Sequence, residues 1–173
     1  MADDIFTSYK VTGNGHFRLL NPSLSILLFG LVGAMILVVR MERCQYIVLC
    51  VILFMLFIWI GPAFYLHYRY YLQSRYQELR LRENSLEIFE NGILTFTIFK
   101  KDVETIHLFM SPALVEDKIP TRIPSAAYNY MEINTANFSV QINNLLFPDL
   151  KYLARYYFDK SPIYHKRIFA NID

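Results

Sequence analysis

Two uncharged apolar runs, set close together, constrain this chain more than any other feature. Residues 24–39 carry no charge, residues 46–66 carry none, and only residues 40–45 lie between them. Each run is apolar on every side of a helix rather than along one stripe, which a soluble core does not require and a bilayer does. Asn21, Pro22 and Ser23 read as a helix start, with Asn as N-cap and Pro in the first turn. From Pro22 to Arg40 a helix spans roughly 28 Å, close to the ~30 Å of a hydrocarbon core. Residues 46–67 give a similar length.

The expected layout has three parts: a cytosolic segment over 1–20, a transmembrane hairpin over 21–72 with spans 22–40 and 46–67, and a cytosolic domain over 73–173. The first 20 residues are polar and mixed, too long for the charged lead of a cleaved signal. Lys10 and Arg18 precede the hairpin, and Arg69, Arg75, Arg80 and Arg82 follow it. Only Arg40 and Arg43 stand in its loop. That asymmetry puts both termini in the cytoplasm. Tyr65, Tyr68, Tyr70, Tyr71 and His67 cluster where the second helix leaves the bilayer, as an interfacial aromatic belt does. Gly61 and Pro62 break the second span near that end and mark a hinge. Gly30, Gly33 and Ala34 allow close approach, either between the two spans or between protomers. With no ionisable side chain inside either run, an ion-transport site is not expected.

After the hairpin the pattern turns to strands. Alternation over 75–82, runs over 85–90 and 93–100 around Asn91 and Gly92, and a run over 103–110 predict antiparallel strands. Asn-Gly is the signature of a type I′ hairpin turn. Residues 111–127 hold Pro112, Pro120 and Pro124 and predict a long loop. A second hairpin is expected over 128–134 and 138–143. Leu150, Leu153, Ala154 and Tyr157 then follow helical spacing behind Pro148 and Asp149. The fold class is therefore α+β: a two-helix hairpin, then a small antiparallel β domain of about six strands closed by a C-terminal amphipathic helix.

Net charge is only +2 over 173 residues. From Arg75 onward basic and acidic residues balance, which argues against a duplex nucleic-acid surface. Cys44 and Cys50 form neither a disulfide framework nor a metal motif. The four histidines sit in no catalytic or metal-binding spacing, and Asp102 and Glu104 read as a solvated face, so no enzyme, metal or cofactor is expected. One group suits an anionic, base-bearing ligand. Lys100, Lys101, Lys118 and Arg122 supply cations, Tyr128 and Tyr130 supply rings, and Asn129, Asn134 and Asn137 supply amides.

Two resemblances follow. The layout of two apolar runs over 24–39 and 46–66, then a small domain, resembles two-pass membrane effectors of bacterial antiphage defence, including those of type III CRISPR systems. That resemblance implies a homo-oligomer that binds a cyclic oligoadenylate and perturbs the membrane or opens a pore. The segment from Leu86 through Asn91 and Gly92 to Ile106, with the final helix, resembles a bacterial PH-like domain. That implies instead a membrane-tethered binding or scaffold module, or an immunity protein against a membrane-active toxin.

Overall fold

The computed structural model describes residues 7–40, 46–116, 124–167 and 170. Two long helices, α1 (Gly13–Arg40) and α2 (Tyr46–Ser74), precede most of the β structure. Both are long and apolar enough to cross a membrane. Only 11% and 17% of their most apolar windows are buried within the chain. Leu28, Phe29, Met35 and Phe57 present most of their surface outward. The helices pack on each other at Gly30, where an added Cβ would stand 2.5 Å from Leu56 Cδ1. Gly33 faces open space. Of the small residues, Gly30 therefore serves the contact within the hairpin.

Both helices run past the expected limits. Helix α1 begins eight residues before Asn21: Gly15 N–H donates to Thr12 Oγ1 at 3.2 Å and His16 N–H to the Thr12 carbonyl at 3.1 Å. Thr12, not Asn21, is the cap, and Pro22 lies inside the helix. Burial of Leu19 against the domain holds this extra length. Helix α2 likewise continues through Gly61 and Pro62 to Ser74 instead of breaking. A 29-residue helix spans about 43 Å, some 13 Å more than a hydrocarbon core.

A short strand missing from the expected plan comes first. Strand β1 (Thr7–Lys10) pairs antiparallel with β2 (Gln77–Leu81), placing Ser8 opposite Arg80 and Lys10 opposite Glu78. The segment before the hairpin is thus part of the β domain, and the hairpin is a long insertion between its first two strands. Strand β2 pairs with β3 (Ser85–Glu90), and β3 with β4 (Ile93–Phe99). Asn91 and Gly92 take φ of 52° and 80°, the left-handed pair that an I′ turn demands.

The second sheet has the order β7, β6, β5, β8. Strand β5 (Val103–Met110) follows a 3-10 turn over Lys100–Asp102 and pairs with β6 (Tyr130–Thr135), which pairs with β7 (Ser139–Asn143). Strand β8 (Ile163–Lys166) runs parallel to β5. Within the proline-rich stretch, α3 (Pro112–Val115) is capped by Ser111, and a 3-10 turn covers Pro124–Ala127. Asp149 caps α4 (Leu150–Tyr152), which winds on as a π-helix over Leu153–Tyr157. That helical stretch covers a core of Leu79, Leu86, Ile106, Leu108, Met131 and Ile133, every one nearly inaccessible.

Candidate functional site: the seam between hairpin and domain

The final turns of α2 carry Ile60, Ala63, Leu66, Tyr70 and Ser74 at helical spacing, and all are buried. Ala63, Leu66 and Tyr70 of this stripe lie against the domain with Leu19 of α1, Tyr128, Tyr130, Leu145 and Ala170. The last third of α2 is thus covered by protein along one face. The seam is also tied by polar groups. Tyr70 hydroxyl donates to the Ala170 carbonyl at 2.6 Å. Asn143 Nδ2 donates to the Tyr70 carbonyl at 3.2 Å and to Gln73 Oε1 at 2.7 Å. Arg18 reaches from α1 to the Asn144 carbonyl at 2.9 Å, and Asn144 Nδ2 donates to the Ala127 carbonyl at 2.8 Å.

At the centre, one chain of rings joins both helices and the domain. His16 Nδ1 stands 2.8 Å from His67 Nε2, and His67 Nδ1 stands 3.1 Å from Tyr128 Oη. With Tyr128 donating to His67 Nδ1, His67 Nε2–H donates onward to His16; the reverse tautomers run the chain the other way. Burial pushes the Tyr128 hydroxyl well above its ordinary range, so it stays protonated and available as a donor.

The other end of the seam is an ion cluster that closes the base of the hairpin. Glu78 accepts from Arg80 Nε at 2.7 Å, from Lys10 Nζ at 2.7 Å and from Ser8 Oγ at 2.8 Å. Hydrogen bonds from Arg80 and Lys10 hold its carboxyl down at about 2. The strands on either side of the insertion are thereby locked by charge as well as by backbone pairing.

Among the described residues, those singled out from sequence do not converge. Lys101 and Asn137 line one cleft of about 360 Å³ between β4 and the β6–β7 turn, beside Asp102 and Glu104. Lys100 in the adjoining turn sits 4.2 Å over the Tyr157 ring, and Asn134 donates to Thr105 Oγ1 at 3.2 Å. Tyr128 precedes β6 and Tyr130 begins it, at the end of the strand roughly 17 Å from that cleft. They are 1% and 3% exposed, so neither offers a face to a base. Asn129 spans to the Ala127 carbonyl at 3.3 Å and lines a different cavity with Lys151 and Asp149. Lys118, Arg122 and Cys44 lie outside the described residues. Of the expected aromatic belt, Tyr65, Tyr68 and Tyr71 point outward, while His67 and Tyr70 turn into the seam.

The order of these parts decides the family. A family model described as PH domain matches residues 8–154, from within β1, across both apolar helices and into the C-terminal helical stretch. The chain belongs to the PH domain family. No curated protein and no solved structure matches it. That the PH domain match starts at Ser8 agrees with β1 being its first strand and with the hairpin lying inside the domain. Sequence reasoning missed His16, Glu78, Asn143 and Asn144 as seam residues. The signal available was the small and apolar stripe at 60, 63, 66, 70 and 74, continuing past the expected end of the span.

Proposed function

We propose that this PH domain is a membrane-tethered binding or scaffold module without catalytic activity, held at the cytoplasmic surface by its inserted hairpin. The observation that carries this reading is the pairing of β1 with β2 around the two apolar helices. Both ends of the hairpin enter one folded body, so the domain cannot swing on a linker and presents a constant orientation to the bilayer. The excess of cations on that side supports a cytoplasmic position. Tyr70, Asn143, Asn144, Arg18, His16, His67 and Tyr128 of the seam are hydrogen-bonded within it, which suits a structural joint better than a reaction centre.

An oligomeric effector gated by a cyclic oligoadenylate asks for cations and stackable rings on one open surface. Here the expected rings are buried at and before the start of β6, while Lys100 and Lys101, the described cations of that group, stand near its other end beside two carboxylates. The binding-module reading is therefore the one adopted.

The test uses the full chain in membranes. It should stay with the pellet through an alkaline carbonate wash, and a reporter fused after Asp173 should read as cytoplasmic. Cysteines introduced at Ser8 and Arg80, in a background free of Cys44 and Cys50, should crosslink across the strand pair. Release into the supernatant, an external reporter, or no crosslink would defeat the proposal.

A further inference from the structure

Strand β8 differs from the rest of the fold. It is the one parallel neighbour among the described strands, and it lies beyond the stretch that the PH family match covers. It is four residues long, and Ile163 is half exposed. Tyr164 packs in part against the main core, and the polar contacts of the strand's side chains lie near the surface. Tyr164 hydroxyl accepts from Arg155 at 2.7 Å, Lys166 stands 3.3 Å from Glu116, and His165 Nε2 lies 2.8 Å from His107 Nδ1. The exposed pairs Arg155–Tyr164 and Lys166–Glu116 add little stability, and only the His165–His107 contact is half-buried. The strand it covers is the opposite: Leu108, Phe109 and Met110 are all buried.

Beneath β8 lies a ready stacking platform. The rings of Tyr130 and Phe109 stack at 4.6 Å with 9° between planes, and His165 continues the stack at 4.5 Å and 12°. Arg167 adds its guanidinium 4.8 Å over the same Phe109 ring. Without β8, the β5 edge would show a row of unpaired backbone groups beside a flat aromatic face. That is the arrangement by which a sheet takes up an extended peptide.

We propose that Ile163–Lys166 is a displaceable strap over a peptide-docking edge, and that the ligand is an extended segment of a partner protein. The strap states the chemistry of that segment. It should carry a planar side chain to replace His165 on Phe109, followed by a cation to meet Glu116. The inference deepens the binding-module reading and rests on it. It also links the edge to the hairpin: the same tail carries Ala170, whose carbonyl satisfies the buried Tyr70 hydroxyl of α2. A segment that displaces the tail far enough removes that acceptor, so docking is felt at the membrane helix.

The test begins with hydrogen exchange on the full chain in lipid nanodiscs. Amides of Tyr164, His165 and Lys166 should exchange through local opening at least about 100-fold faster than those of β5 paired to β6. Equal rates would overturn the proposal, because a strap that opens only on global unfolding cannot yield to a peptide. The second arm uses a labelled synthetic peptide of residues 161–167. It should bind a full-length variant carrying Tyr164→Ala and His165→Ala at least about tenfold more tightly than the unaltered chain. A peptide with Ala in place of its own histidine should lose that binding. No binding to a variant that melts like the parent would also overturn the proposal; if the variant does not fold, the exchange rates decide alone. Failure of the membrane tether is read separately, by sedimentation, and leaves these outcomes intact.

Discussion

The clamp at the base of the hairpin predicts a specific dependence on pH. Glu78 is only 11% exposed at its side chain and accepts from Ser8, Lys10 and Arg80. Its carboxyl titrates near 2 instead of 4.5. A displacement of that size corresponds to at most about 3 kcal/mol at neutral pH. Lys10 is 62% exposed, so solvent screening lowers the figure to about 1–2 kcal/mol. A depressed carboxyl stabilises the fold above its unfolded value, and that stability drains away as pH falls through the folded value. Glu78→Gln should therefore destabilise the detergent-solubilised chain by about 1–2 kcal/mol at pH 7. More than half of the difference should be gone by pH 3, and only about a tenth should remain near pH 2, where the unfolded carboxyl is protonated and the folded one is half protonated. It should also shrink in molar salt. Thermal or denaturant unfolding of both proteins across pH 2–7 reads this directly. A variant as stable as the parent at pH 7, or a deficit that persists unchanged at pH 3, would refute the reasoning.

Three further outcomes follow. Tyr70→Phe leaves the Ala170 carbonyl without its donor in a buried place; it should cost about 1–2 kcal/mol and speed amide exchange in the tail, which Tyr68→Phe should not do. Gly30→Val forces a side chain against Leu56 and should lower hairpin stability by about 1–3 kcal/mol in detergent unfolding, whereas Gly33→Val, with open space around it, should be nearly silent. Tyr157 donates to the Arg82 and Ser85 carbonyls, and burial pushes its hydroxyl up to about 12. Because the fold favours its protonated form, stability should decline between pH 10 and 12, and the Tyr157→Phe variant should show a shallower decline in the same unfolding assay.

Much of the architecture was legible before any coordinates. The two apolar runs announce themselves because no single face of either helix carries the polar residues that water demands. The turn at Asn91 and Gly92 was legible because few residue pairs tolerate two successive positive φ values. Strand β5 falls where alternation placed it. Strand β1 was not legible: four residues of mixed polarity have no periodicity to detect, and their pairing depends on Glu78, which follows them by some seventy positions. The cap at Asn21 was well chosen chemically yet passed over, because tertiary burial of Leu19 extends the helix upstream. The ligand group failed for a related reason. Residue type suggested Lys101, Asn137, Tyr128 and Tyr130 as companions, but strand geometry carries them to opposite ends of β6.

Hydropathy alone determined that this chain carries a pair of membrane-length helices and a strand-rich remainder, since solvation acts on each segment wherever it ends up. Only the tertiary structure decided that the hairpin is an insertion within the PH domain. Strand pairing between Thr7–Lys10 and Gln77–Leu81, and the burial of one face of α2, are long-range contacts whose energy exists only once distant segments meet.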